Sequence, residues 1–228
     1  MSSPDDMVKK LTEIDSPTMA NAIETLNVRN RFSGFCNRDM KQLTPEMGVL
    51  CGYAVTIQAE TATAEPCGRE EGVDKYLEVC QALQEAPKPA VVVFQEFGSL
   101  PEYSAHIGEV LATMFQRFGA IGVVSDSAVR DIREMRQLNF QAFAPGTVAS
   151  HANFAIRYVQ TPVVVCGMTI HPGDLLHGDE NGLIKIPVEG REQLPELADK
   201  VLRKEKTALD YIKGEEVTLQ GIRERLTH

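Results

Sequence analysis

Three residues near the middle of this chain have the types and spacing for work on a carbon acid: Glu109, Arg130 and Asp131. Arg130 and Asp131 are adjacent. They follow the apolar run Ile121-Gly122-Val123-Val124 and a polar cluster, Ser125, Asp126 and Ser127. In α/β sheets, ligands bind where a strand ends and the next helix begins. Twenty residues separate Glu109 from Arg130. That is about one helix plus one strand, which can return both residues to one end of the sheet. Gly108 would let a ligand approach the backbone, and the first amides of a helix starting there suit an anion. A guanidinium, two carboxylates and free amides could together hold a small keto acid against a divalent cation. The Arg-Asp pair also fits a solvated helix start, with Asp126 as N-cap and Asp131 in the first turn.

These residues must be positioned by the elements around them. Ile107, Val110, Leu111, Met114, Phe115 and Phe118 recur at helical spacing, Gly119 stops that helix, and Ile121–Val124 reads as a strand buried on both faces. Upstream, Val49–Glu60 alternates as a strand, Ala62–Pro66 reads as a loop, Val73–Gln84 is helical and Ala90–Phe94 is a second buried strand. The loop from Gln95 to Tyr103 sits where substrate would enter; its Glu96 or Glu102 could contact a ligand, and the plainer reading is of exposed loop carboxylates. Downstream, Gln141–Ala144, Val163–Cys166, Met168–Ile170, Leu175–Leu176 and Leu183–Ile186 are short strands, with Gly-Asp turns at 173–174 and 178–179. Helices at about 7–27, with Ser16 as an N-cap before Pro17, precede this body. A helical tail at about 191–228 follows it, with an apolar seam of Leu194, Leu197, Val201 and Leu202. With no repeat, linker or low-complexity tract, the chain reads as one α/β domain over residues 1–228.

Composition narrows the possible functions. The 228 residues can bury a sizeable core, and a net charge of −9 leaves no basic stripe for nucleic acid. The five cysteines are scattered without a C-x-x-C pair, and the five histidines form no H-x-x-x-H. Neither a disulfide framework nor a histidine-bound metal is indicated, and reduced thiols fit a cytoplasmic protein. No apolar run approaches the length of a membrane span. No Gly-rich dinucleotide or phosphate loop stands out, which argues against a nucleotide cofactor or methyltransferase chemistry. Lys185, the nearest Schiff-base candidate, is explained by an alternating strand.

The segment A-x-x-G-E, then twenty residues, then R-D, resembles the RraA-like family. The likeness continues through CGYAVTIQAE (51–60), FAPGTVAS (143–150) and HPGDLLHGDENGLIKIP (171–187). The resemblance implies an RraA-like swivelling β/β/α layered sandwich. The family's enzymatic members are divalent-metal-dependent aldolases that cleave 4-hydroxy-4-methyl-2-oxoglutarate and 4-carboxy-4-hydroxy-2-oxoadipate. On that basis Asp131 would bind Mg²⁺ or Mn²⁺, with Glu109 helping through water. Gly108, Glu109, Val110, Leu111 and Arg130 would hold a small 2-oxo acid, and oxaloacetate decarboxylation would accompany retro-aldol cleavage to pyruvate. The family also implies a homotrimer, or two stacked trimers forming a hexamer, with a carboxylate from the neighbouring subunit. Glu205 is the candidate for that role, although a solvated helix charge is its plainer reading. Other members of the fold act by binding, one of them by inhibiting an RNA-degrading endonuclease, and a protein-binding regulator is the alternative. One position departs from the family pattern. Ser127 stands where a glycine is usual, which would strain the turn if that glycine needs a positive φ.

Overall fold

A computed structural model describes residues 4–61, 69–214 and 216–227. The loop expected at Ala62–Pro66 and the cysteine at position 67 lie outside the described residues. The body is a mixed sheet built on one long strand. β1 (Lys41–Gln42) is followed by β2 (Leu50–Thr61), β3 (Ala90–Glu96), β4 (Ala120–Ser125) and β5 (Gln141–Ala144). Then come β6 (Phe154–Val159), a hairpin of β7 (Val163–Val165) and β8 (Met168–Ile170), and finally β9 (Leu175–Asp179) and β10 (Gly182–Ile186). The order is β1-β5-β4-β3-β2-β9-β10, with β6 also paired to β2, and β1 and β10 come back into contact so that the sheet nearly closes. β2 to β5 run parallel, and β6 and β9 pair antiparallel with β2.

Three helices cross between the parallel strands: α3 (Arg69–Glu85), α4 (Glu109–Arg117) and α5 (Ile132–Gln137). At the other end, α1 (Pro4–Leu11) and α2 (Ser16–Leu26) pack with α6 (Leu194–Ile212), and α7 (Leu219–Thr227) follows. (The labels follow chain order across both ends of the molecule.) β3 shows why its run is continuously apolar. Ala90, Val92 and Phe94 pack under the crossing helices, while Val91 and Val93 face a second core with the β7–β8 residues Val163, Val165, Met168 and Ile170. Both faces are dry, so neither can carry polar residues.

The expected elements at 49–60, 90–94, 121–124, 141–144 and 163–186 appear within a few residues, with several differences. The helix expected from Val73 starts four residues earlier. The N-cap of α2 is Asp15, not Ser16; its carboxylate accepts from the Thr18 N–H at 2.8 Å. Val110, placed in the apolar stripe, is 79% exposed, while Phe115 of that stripe turns inward together with Ala112. Leu202 is likewise exposed, and Ala198 takes its place on the buried seam of α6. Gly178-Asp179 is not a turn. Both residues end β9, where Asp179 accepts from the Asn181 N–H in the turn and from the Ser16 N–H of α2. Lys185 is held by Asp174 at 2.8 Å. Among the described residues no helix is long and apolar enough to cross a membrane.

Candidate active site

The parallel strands β3 and β4 end side by side, with Phe94 opposite Ser125. The chain leaving β4 bends at Asp126 and Ser127 and then rejoins its neighbours through two isolated bridges. Ala128 bridges Ala105 in parallel, and Val129 bridges Thr147. The Ala128 N–H donates to Ser104, the His106 N–H to Ala128 and the Arg130 N–H to the Ile107 carbonyl at 3.1 Å. This lacing brings Arg130 and Asp131 beside Gly108 and the first turn of α4. Residues with twenty others between them therefore meet at one end of the sheet, as the spacing predicts.

Asp131 is the N-cap residue of α5, in the left-handed region at φ 57°, but its side chain makes no capping bond to that helix. It crosses to α4 instead. Oδ2 accepts from the Glu109 N–H at 2.9 Å and lies 3.7 Å from Arg130 Nε. A carboxylate at a helix N-terminus is stabilised by the unpaired amides and the helix dipole. Gly108 is what makes this possible. A Cβ there would sit 2.4 Å from Asp131 Oδ2 and 3.0 Å from Arg130 Nε. The close approach foreseen for a ligand is thus made by the protein's own carboxylate. The Glu109 side chain is exposed, and its backbone makes the contact. The Val110 and Leu111 amides, also in the first turn, have no partner among the described residues.

Beneath this half-exposed pair lies a dry hydrogen-bonded chain that was not among the expectations. His106 Nε2 meets Glu96 Oε2 at 2.7 Å, and His106 Nδ1 meets Ser125 Oγ at 3.0 Å. Glu96 takes three more donors: Thr61 N–H, Thr61 Oγ1 and Gly98 N–H. Burial alone would push the Glu96 carboxyl up, but the bonds from His106 and Thr61 outweigh it and hold it below its ordinary range. An ionised Glu96 requires His106 Nε2 to donate. Ser125 Oγ already accepts from the Ser127 N–H at 3.1 Å, so its own proton is available for His106 Nδ1. Glu96 is therefore no exposed loop carboxylate. The available signal was positional: a carboxylate closing one apolar strand and a serine closing the next.

Asp126, suggested as an N-cap, caps nothing on α5. It accepts from the Glu96 N–H at 2.6 Å, and burial raises its carboxyl to about 7. Ser127 is not among the residues with positive φ. Its hydroxyl reaches the carbonyls of Pro101 and Ser104 at 2.5 and 2.7 Å, so it ties the loop down without left-handed strain.

A cavity of about 250 Å³ adjoins Arg130, Gly108 and the first turn of α4. Asp131 borders a second, shallower cleft on the other side of Arg130, with Arg133 and Thr147. Glu205 is not brought to either within one protomer. It lines a separate groove of α2, α6 and α7, where it accepts from Asn21 Nδ2 at 3.2 Å. Among the described residues no three His, Cys, Asp or Glu side chains gather as a cage for a metal ion. A Mg²⁺ site needs fewer, commonly one or two carboxylates with water and substrate oxygens completing the shell. Asp131 has Oδ1 to spare and Glu109 for a neighbour, a donor set that fits such an ion.

A family model described as RraA-like, Aldolase/RraA, matches residues 17–185, a span that includes every residue of this site except Glu205. The chain belongs to the RraA-like family. Over 219 residues it is 28% identical to a Halalkalibacterium halodurans protein provisionally named 4-hydroxy-4-methyl-2-oxoglutarate aldolase, covering 95% of this chain and 97% of that one. It is 33% identical over 110 residues to the 4-hydroxy-4-methyl-2-oxoglutarate aldolase of Thermus thermophilus, covering 48% and 66% of the two chains. The fold is also that of Streptomyces coelicolor RraAS2, described as an unusual member of the RNase ES inhibitor RraA family. The TM-score is 0.68 at 23% identity, over 91% of this chain and 98% of that one.

Proposed function

We propose that this RraA-like protein is a carbon–carbon lyase acting on small 2-oxo acids, an aldolase that releases pyruvate through an enolate. The observation that carries this reading is the convergence of Arg130, Asp131 and the first-turn amides of α4 at one end of the sheet. Asp131, with Glu109 assisting through water, would hold Mg²⁺ or Mn²⁺. Such an ion supplies Lewis-acid polarisation of the 2-oxo group. The chain's own residues do the rest. The Val110 and Leu111 amides face the substrate carboxylate at the positive end of α4. Arg130 offers a planar fork to the oxygen on which charge develops as the C3–C4 bond breaks, and such preorganised donors are worth most in the transition state. Exposed Glu109 is the carboxylate available to take the 4-hydroxyl proton, directly or through water.

The same enolate forms when oxaloacetate loses carbon dioxide, so decarboxylation belongs to this proposal. Glu205 joins it only in an assembly, a homotrimer or a stacked pair of trimers, in which α6 reaches a neighbour's site. The test is exchange of the pyruvate C3 protons with deuterated water in the presence of Mg²⁺ or Mn²⁺, which needs enolisation alone. Wild type should exchange well above buffer, and a chelator should abolish the effect. Exchange no faster than buffer would overturn the lyase reading and favour a protein-binding regulator of the RraA inhibitor kind.

A further inference from the structure

We propose that His151 is the proton carrier at C3: it gives the proton that turns the enolate into pyruvate, and takes one back when pyruvate enolises. This rests on the lyase reading above and deepens it. Retro-aldol cleavage moves two protons. One leaves the 4-hydroxyl for the exposed Glu109 carboxylate, and the other must arrive at C3. Glu109 does not line the cavity of about 250 Å³ beside Arg130, whereas Val110, Leu111 and Arg130, which hold the enolate in that reading, do. The donor to C3 therefore belongs on the cavity wall. Among the described residues, four side chains there carry hydrogen on nitrogen or oxygen: Tyr76, His106, Arg130 and His151. A guanidinium keeps its protons in a protein. Both ring nitrogens of His106 are engaged, by Glu96 and Ser125. The ordinary range of a phenol lies well above neutrality, whereas an imidazole changes charge between about pH 5 and 8. His151 is left.

Its ring is held for the task. Nδ1 lies against the Ala152 carbonyl, and a carbonyl only accepts, so Nδ1 carries the hydrogen and Nε2 of the neutral ring has a lone pair. Nε2 has no hydrogen-bond partner among the described residues. Ala152 sits in the left-handed region at φ 50°, which alanine rarely adopts, and its N–H donates to Ser150 Oγ at 3.2 Å. Strained backbone of this kind clusters at functional sites. The His151 carbonyl accepts from Ser104 Oγ at 3.3 Å, in the segment that carries His106. Nδ1 keeps its carbonyl whether Nε2 is bare or protonated, so the ring can pass between the two forms without turning.

The protons balance. As the C3–C4 bond breaks, its electron pair stays on C3 as the enolate and C4 becomes a carbonyl. The imidazolium gives its Nε2 proton to C3, which completes the methyl group of pyruvate. Glu109 then releases the 4-hydroxyl proton to solvent and His151 takes one up. In pyruvate exchange, neutral Nε2 removes a C3 proton and returns a deuteron.

The experiment follows full-length protein with Mg²⁺ in two assays, pyruvate C3-proton exchange in deuterated water and carbon dioxide release from oxaloacetate. Oxaloacetate loses carbon dioxide before C3 is protonated, so the assays divide the two steps. His151→Gln, with its melting temperature as the folding control, should slow exchange at least a hundredfold. Its carbon dioxide release should fall at least tenfold less than that, with enolpyruvate appearing transiently by NMR. Imidazole added to His151→Ala should restore part of the exchange. Unchanged exchange in His151→Gln would overturn the proposal. So would an equal loss in both assays without imidazole rescue, which a misplaced loop or a lost substrate contact would give. Wild type that neither exchanges nor decarboxylates above buffer would remove the lyase reading itself, and this proposal with it.

Discussion

Glu96 and Asp131 are both carboxylates at the C-terminal end of the parallel strands, yet they are held in opposite ways. The Glu96 side chain is fully shielded and takes four donors, two on each oxygen. Asp131 is 37% exposed, takes one backbone donor on one oxygen, and has a guanidinium 3.7 Å away. A carboxylate with every lone pair engaged can fix geometry but has little left to offer a ligand. A carboxylate with an oxygen to spare can bind one, but cannot hold its own loop. The site divides these tasks. The Glu96–His106–Ser125 chain locks the two loops together, and the loops carry Gly108, Arg130 and Asp131 on their outer side.

Mutations on the two sides should therefore differ in kind. His106→Leu leaves a buried carboxylate and a serine hydroxyl short of a partner, and should cost about 3–5 kcal/mol of unfolding free energy in denaturant titration. A loss below 1 kcal/mol would mean that the chain is not what secures the loops. Arg130→Lys should leave the melting temperature unchanged but slow pyruvate C3-proton exchange by about 10² to 10³, because the charge remains and the planar fork is gone. Asp131→Asn keeps a residue that tolerates the left-handed backbone. Raising the Mn²⁺ concentration should recover part of its exchange and none of that lost in Arg130→Lys.

Asp126 lies between the two extremes and gives a pH test. Its folded-state carboxyl titrates at about 7, above the usual aspartate range. From about pH 4 to 7 the folded protein keeps a proton that the unfolded chain has lost. The contribution of Asp126 to stability should therefore fall as pH rises through that window and level off above it. Asp126→Asn should remove that contribution, being more stable than wild type by about 2 kcal/mol at pH 8, after solvent screening, and indistinguishable at pH 4. The smallest effect concerns Ser127. Restoring glycine relieves no strain, since φ there is not left-handed, and it loses the hydroxyl bonds to Pro101 and Ser104. A loss of about 1 kcal/mol in Ser127→Gly is expected; a gain in stability would show that the turn is strained after all.

The open half of this arrangement was legible in the sequence, and the dry half was not. Arg130, Asp131 and Glu109 announce themselves because charges beside an apolar strand are conspicuous and because helix-plus-strand spacing is regular. Glu96 was misread because loop carboxylates are usually solvated, and three of its four donors come from Thr61 and His106, which the fold brings to it. β6 was missed for a related reason. Its burial does not alternate, and its pairing with β2 shifts register between Gln58 and Ala59, which erases the two-residue period. The left-handed Asp131 lay beyond reach because aspartate, unlike glycine, does not advertise that backbone. The β2–β5 framework was readable because its strands are buried on both faces and bounded by helices with clear apolar stripes.

β2 has a consequence for how the molecule assembles. Its twelve residues pair along one edge with β3 and along the other with β6 and β9, partners drawn from positions 90 to 178. The strand that contributes Thr61 to the Glu96 network is therefore complete only after distant segments have arrived, β6 (Thr61 opposite Phe154) and β9 (Leu50 opposite Gly178). Long loop closures of this kind are slow, so folding should be limited by that late docking, and not by the local βα units. Once closed, both edges are occupied, and the β2 amides should be among the last in the chain to trade protons with solvent.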